Sequence, residues 1–158
     1  MSVIDIELAM KHLLAEPEDQ VLVQAQLDAA EEAAAQYLQR RFFIDQAALN
    51  AARAAVPELI AAARSAYNAE KVEAEEFDDL GDRCRLQEQA RQRFGDALEA
   101  IDLDAHGILI NAAITAACLL KLGHLFANRE EVVTGTIATE LPLASKSLLT
   151  PYRVRMGV

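Results

Sequence analysis

Histidine and cysteine side chains are the groups that could do chemistry in this 158-residue chain, but they are scattered along it. His12, His106 and His124 fall in three different segments, and neither a cysteine nor a carboxylate stands beside them at metal-ligand spacing. The sequence also lacks HExxH, paired CxxC, GxSxG and Walker-type phosphate loops, which are the short motifs that carry catalytic mechanisms. It therefore predicts a protein that is not an enzyme and that needs neither a cofactor nor a metal ion.

Three residues could have either a chemical role or a purely structural one. His124 could be a ligand, but near the end of an apolar helix a histidine more often bonds a terminal carbonyl. Cys118 stands among alanine and leucine, which favours inert packing. Cys84 lies between Arg83 and Arg85, which could lower its pKa. No base stands beside it in sequence, so we expect a solvated residue.

A run of carboxylates could attract a divalent cation. It consists of Glu73, Glu75, Glu76, Asp78 and Asp79. The run has neither the alternating ligand spacing nor the central glycine of a calcium-binding EF-hand loop. A solvated helix end is the favoured interpretation.

Composition indicates a mainly helical protein. The chain has 25 acidic and 15 basic side chains, a net charge of −10, only 5% aromatic residues and 31 alanines. Such a composition favours helix over a β-sandwich or barrel, and its charge disfavours clamping a phosphate backbone. Two cysteines suit a reducing compartment, and no signal peptide is visible at the N-terminus.

Apolar spacing and capping residues predict a small helical bundle with a long antiparallel hairpin and a short extended or β segment at the C-terminus. Pro57 leaves two alternatives, a kink or a break between two helices. The last long helix begins either after an Asn111 cap or earlier, near Asp104. The predicted helices span residues 6–14, 20–41, 46–76, 83–101 and 112–127.

The segment Ile108–Ala127 is the most apolar part of the chain. Polar residues interrupt it, and Lys121 near its centre would be costly in a bilayer. We therefore expect no membrane span, but a helix covered on nearly all sides, either in a core or between subunits.

The C-terminal region differs in character from the rest. Residues 132–139 are β-branched and uncharged, which is typical of a loop or a strand edge. After Glu140 the chain has no acids and three bases, Lys146, Arg153 and Arg155. Pro151 favours extended backbone before it. The end of the chain is expected to leave the helical body and bind a partner, or to pair as a strand with residues 42–44.

Three stretches of the sequence, in this order, share a pattern with one known family. The first is Val3–Ala9 with Lys11–Leu13, Leu27–Ala30 and Tyr37–Arg41; the second is Ile110–Ile114 with Leu119–Glu130; the third is Leu148–Val154. Together they resemble the head–tail connector proteins of long-tailed double-stranded DNA bacteriophages. The resemblance covers about residues 1–43 and 106–156, whereas residues 44–105 match no motif and have the length of an enlarged hairpin.

The resemblance implies a structural protein of the virion neck, made in the bacterial cytoplasm. Connectors of this family form rings, expected to be twelve-fold, which dock on the portal and continue the DNA channel towards a stopper protein. A single connector domain over 1–158 would then have a body (1–43 and 106–141), an inserted hairpin (44–105) and a docking segment (142–158). No membrane or cofactor is implied, and DNA would pass through a negative lumen without specific binding.

The same resemblance assigns two sets of site residues. The portal-binding residues would be Leu149, Pro151, Tyr152, Arg153, Val154 and Arg155. The subunit interface of the ring would use Ile114, Leu119, Leu122 and Phe126.

An alternative function is a small acidic helical adaptor or regulator, dimeric through the alanine-rich hairpin and without a virion role.

Overall fold

The computed structural model of the chain describes residues 2–128 and 143–154, and these residues are mainly α-helical. The predicted fold class is confirmed at that level. Residues 132–139 and Arg155 lie outside the described residues. Within the described residues the helices are α1 (Ile6–Leu13), α2 (Gln20–Leu38), α3 (Gln46–Glu75), α4 (Leu80–Ala105), α5 (Ala112–Ala127) and α6 (Leu143–Leu149), with 3₁₀ turns at Pro17–Asp19 and Thr150–Tyr152 and two short strands, β1 (Phe42–Phe43) and β2 (Ile108–Leu109).

Side-chain caps set where the helices begin. Asn111 Oδ1 accepts hydrogen bonds from the backbone N–H groups of Ala113 and Ile114, both at 3.0 Å. The cap satisfies two donors that have no partner within the helix, so α5 begins after Asn111 and not near Asp104. Asp79 caps α4 through the N–H of Asp82 at 2.9 Å. That cap starts α4 three residues before the predicted position.

Two predicted helix boundaries need correction. α3 runs without a break through Pro57, so the alternative of two separate helices is wrong. α2 ends at Leu38 because Gln39 takes the left-handed conformation, with φ 56°. The N–H of Arg40 then bonds back to the carbonyl of Ala35 at 3.1 Å, closing the helix with a turn that usually holds glycine.

The chain forms two compact units. The first, called the body unit here, consists of the described residues up to Ile44 and those from Ile108 onward; the second unit is Asp45–Gly107. α5 lies at the centre of the body unit, where α1, α2 and α6 all pack against it. The buried core of this unit consists of Ile4, Ala9, Val23, Leu27, Ala30, Ala34, Leu38, Phe42, Ile114, Ala117, Cys118, Leu119, Leu122 and Leu149.

A two-residue parallel ladder joins the parts of the body unit that flank the second unit. Phe42 pairs with Ile108 and Phe43 with Leu109. The backbone N–H groups of Ile108 and Ile110 donate to the carbonyls of Arg41 and Phe43 at 2.9 and 3.0 Å. The strand partner of residues 42–43 is therefore β2, and the alternative pairing with the C-terminal region is not formed by residues 143–154.

The second unit is built from α3 and α4. The rings of Tyr67 and Phe94 stack with centroids 5.1 Å apart, and Arg93 Nε lies 3.3 Å from Glu70 Oε2. Ala74 and Ala90 are buried, which lets the helix backbones approach closely. These are the residue pairs that the predicted antiparallel hairpin would bring together.

A buried carboxylate holds the N-terminal segment against the body unit. Glu31 on α2 is only 7% exposed. Its two oxygens accept hydrogen bonds from Ser2 Oγ at 2.7 Å and from the N–H groups of Val3 and Ile4, both at 2.9 Å. The carboxylate thus replaces the water that these backbone donors would lose on burial, and charge-assisted bonds of this kind are strong.

Replacing Glu31 with alanine is expected to destabilise the protein by about 3 kcal/mol, because buried N–H groups lose their acceptors. Chemical denaturation followed by circular dichroism measures the change. Glu32→Ala is the matched control, since Glu32 is the next residue on α2, is exposed, and bonds only Gln36 at 2.9 Å. Equal effects of the two substitutions would contradict this role for Glu31.

Candidate functional site

The C-terminal segment folds back onto the end of α2. Leu149 is 5% exposed and belongs to the core of the body unit. The N–H of Val154 donates to the carbonyl of Leu38 at 3.2 Å. The hydroxyl oxygens of Tyr37 and Thr150 lie 3.1 Å apart in a hydrogen bond. These contacts anchor residues 149–154 along one end of the body unit.

The predicted extended backbone is therefore wrong for residues 149–152, and residues 149–154 fold back onto the body unit. Thr150–Tyr152 form a 3₁₀ turn with Pro151 near its start, a position where the missing N–H of proline has no helical partner to lose. Leu149 is driven into the core by its apolar side chain. Extended backbone begins only at Arg153, with φ −69° and ψ 135°.

The folded-back segment brings cations from two distant parts of the sequence to one end of the body unit. Arg153 lies over the ring of Tyr37, its guanidinium carbon 5.0 Å from the centroid, in a cation–π contact. Arg40 and Arg41 follow Leu38 after a single residue, Gln39. Lys146 lies one turn before Thr150, and the Thr150 hydroxyl donates to the Lys146 carbonyl at 2.7 Å. We call these four cations the basic end.

The basic end has no neighbouring acid in its own segments. Residues 33–44 and 143–154 contain no Asp or Glu, although the chain as a whole is strongly acidic. Sequence reasoning identified the basic C-terminus but not the contribution of Arg40 and Arg41. The absence of acids over residues 33–44 could have indicated the contribution of Arg40 and Arg41. Only the fold shows that residues 37–41 and residues 149–154 meet.

The residues predicted for a subunit interface lie in the core of their own chain. Ile114 and Leu122 are fully buried, and Leu119 is 8% exposed. Phe126 is half-buried and packs against the same core. Within one chain, α1, α2 and α6 cover most of the apolar surface of α5. A role of these four residues in a subunit interface stays a prediction.

His106 and His124 each make contacts within the end of their own helix. His106 Nδ1 contacts the carbonyl of Asp102 at 2.9 Å. His124 Nδ1 lies 3.1 Å from the amide nitrogen of Asn128, which also donates to the His124 carbonyl at 2.9 Å. Among the described residues, the predicted bond from the His124 ring to a carbonyl is not formed. Over residues 2–128 and 143–154, no three His, Cys, Asp or Glu side chains come together as a metal site would require. No helix in these ranges combines the length and hydropathy of a membrane crossing.

Similarity to known proteins does not identify this chain. Comparison with protein family models, with curated proteins and with solved structures finds no match. The basic end of the body unit is the surface on which the described contacts and charges converge.

Shortening Leu149 tests whether the C-terminal segment is part of the folded body. Leu149→Ala is expected to lower the free energy of unfolding by about 3 kcal/mol, as a cavity in the core would. Leu120→Ala is the control, because Leu120 is 45% exposed on the central helix and its loss should cost less than about 1 kcal/mol. Urea titrations compare the two; a Leu149 variant as stable as the Leu120 variant would mean that the segment leaves the body in solution.

The two cysteines should differ sharply in reactivity. Burial, reinforced by the charge of Glu31, raises the pKa of the Cys118 thiol to about 12, whereas Cys84 is exposed. A disulfide reagent at pH 8 should therefore label one thiol in the native protein and both in denaturant, and Cys84→Ser should abolish native labelling. Because the folded-state pKa is raised, stability should be unaffected below pH 9 and fall as the pH rises from about 9 to about 12. Rapid native labelling of Cys118 would contradict its burial.

Proposed function

We propose that this protein is a structural component of a bacteriophage neck, a connector that forms a ring and docks on the portal. The observation that supports the proposal is the meeting of three sequence segments in one folded unit. The segments that resemble head–tail connectors supply most of α1, parts of α2 and α5, the end of α6 and the Thr150–Tyr152 turn, all of which lie in the body unit. Residues 45–107, which carry almost none of the resemblance, form the separate second unit.

Direct contacts connect the three segments. Gln26 Nε2 on α2 donates to the carbonyl of Leu125 on α5 at 3.3 Å, linking the first segment to the second. Tyr37 and Leu38 on α2 hold Thr150, Arg153 and Val154, linking the first to the third. Residues from all three segments thus share one core: Leu27 and Leu38 from the first, Ile114, Leu119 and Leu122 from the second, and Leu149 from the third.

The basic end is the proposed portal-docking surface. Of the predicted portal-binding residues, Leu149 serves the core instead, while Pro151 and Arg153 are exposed and Tyr152 and Val154 are half-buried. Arg40, Arg41 and Lys146 add positive charge on the same surface. Arginine and tyrosine are frequent at binding hot spots, and concentrated positive charge would steer the ring to an acidic portal surface.

A ring would need a subunit contact made by exposed side chains, since the predicted interface residues Ile114, Leu119 and Leu122 are buried within their own chain. The body unit exposes several large apolar side chains: Leu8, Leu14, Val21, Leu22 and Leu120. Leu14 is 91% exposed and takes a left-handed φ of 52°, a conformation that costs a leucine about 1 kcal/mol. Exposed apolar side chains are the residues that a neighbouring subunit would cover, so we propose that they contribute to the ring contact.

Negative-stain microscopy and light scattering of the purified protein, alone and mixed with the cognate portal protein, test the function. The expected result is a ring with a central hole on the portal. Particles that stay at the 17.3 kDa monomer mass at high concentration, with no ring on added portal, would reject the proposal. A dimer without a ring would support the adaptor alternative.

Charge reversal tests the docking surface. The combined variant Arg40→Glu, Lys146→Glu, Arg153→Glu should lose portal attachment while keeping native helix content. Arg64→Glu is the control, since Arg64 is an exposed cation of α3 and its reversal should leave attachment unchanged. Attachment that survives the triple reversal would mean that the portal binds elsewhere.

A further inference from the structure

The turn between α3 and α4 presents an apolar surface that the second unit does not cover. Phe77 is 45% exposed and Leu80 is 68% exposed, although both belong to residue types that are usually buried. Next to them lies a cavity of about 240 Å³ lined by Glu70, Glu73, Ala74, Phe77, Leu86 and Arg93. We call Phe77, Leu80 and this cavity the tip surface.

The backbone of the turn is held in place, so the exposed rings and methyl groups are presented in a defined geometry. Arg83 Nε and Nη2 donate to the carbonyl of Phe77 at 3.2 and 2.8 Å. Asp79 caps α4, and its Oδ1 lies 3.0 Å from where a Cβ on Gly81 would stand, so the turn is closely packed there. A surface ordered before binding loses less conformational entropy when a partner arrives.

The surroundings of the tip surface carry mainly negative charge, although Arg93 lines the cavity and Arg83 is bonded to the carbonyl of Phe77. Residues 73–82 contain six acids and no base. Within the described residues, only Asp79 of these six forms a side-chain hydrogen bond, as the helix cap, and none forms an ion pair. In the lining of the cavity, Glu70 Oε2 is buried and forms an ion pair with Arg93 Nε at 3.3 Å but no hydrogen bond within the described residues. Apolar contact area rimmed by unpaired carboxylates matches a partner that is apolar in the middle and cationic around it.

We propose that the tip surface docks a cationic amphipathic segment of another protein, one whose apolar side chains cover Phe77 and Leu80 while its Lys and Arg residues meet the carboxylates of residues 73–82. DNA is an unsuitable partner because its phosphates would be repelled. A second copy is also disfavoured: the basic segment of this chain over residues 143–154 has Leu149 in its own core and Val154 bonded to Leu38. The inference is independent of the proposed connector function.

Binding of synthetic peptides to the full-length protein tests the proposal. The probe is a fluorescent amphipathic peptide of leucine and lysine; the comparison peptides replace leucine with serine or lysine with glutamate. Fluorescence anisotropy should show binding of the leucine–lysine peptide alone, weakened by salt. Equal binding of the serine–lysine peptide would overturn the proposal, because it would show attraction to an acidic chain without apolar docking.

Matched variants locate the binding. Leu80→Ser and the double variant Phe77→Ser, Leu80→Ser should each lower the affinity for the peptide by about tenfold or more, as loss of an apolar anchor does. Leu59→Ser is the control, since Leu59 is 41% exposed on α3 away from the turn. Circular dichroism checks folding, and Leu80→Ser alone keeps the test valid if the double variant unfolds. Unchanged affinity in Leu80→Ser would overturn the proposal.

Charge variants complete the test. The triple variant Glu75→Lys, Glu76→Lys, Asp78→Lys should abolish peptide binding. The control is the triple variant Glu58→Lys, Asp96→Lys, Glu99→Lys, which changes the net charge equally and should lower the affinity only through that change. Equal losses in the two sets would overturn the proposal. Sedimentation of the peptide-free protein tests whether a second copy occupies the tip surface. Self-association that disappears in Leu80→Ser would assign the surface to a second copy and overturn the proposal.

Discussion

Burial of α5 is the constraint on which the body unit depends. A helix whose sequence is apolar around most of its circumference must be covered on several sides. Here α1, α2 and α6 cover it, so elements from both ends of the chain have to meet. The position of the C-terminal turn, the anchoring of the N-terminal segment by Glu31 and the ladder between β1 and β2 all follow from closing this one core.

Local rules predicted the elements well and their partners poorly. Asn111 was recognisable as a cap, and it accepts the backbone hydrogen bonds that a cap should. The end of α2 was missed because Gln39 adopts a conformation that sequence associates with glycine. The C-terminus was misjudged for a different reason: Pro151 favours extended backbone locally, but burial of Leu149 is a long-range contact that no local pattern contains.

The candidate surfaces also depend on long-range contacts that local sequence patterns do not contain. The basic character of the C-terminus was visible as a count of charges, yet Arg40 and Arg41 join it only through the contacts of Tyr37 and Leu38. The subunit-interface prediction assumed that an apolar helix exceeds what one chain can cover, whereas α1, α2 and α6 cover most of α5 within the body unit. At the tip surface, the acidic run is exposed, as expected of a solvated helix end, but the sequence alone did not indicate that Phe77 and Leu80 would be exposed as well.

The ladder between Phe42–Phe43 and Ile108–Leu109 also has a consequence for biosynthesis. The first two helices of the body leave the ribosome long before α5, because all of residues 45–107 must be translated in between. α3 and α4 are sequence neighbours, so their contacts close a short loop and can form early. The second unit is therefore expected to fold on the nascent chain while α1 and α2 still lack their core partner. Their apolar faces stay exposed during that interval, when a chaperone would have its best opportunity to bind.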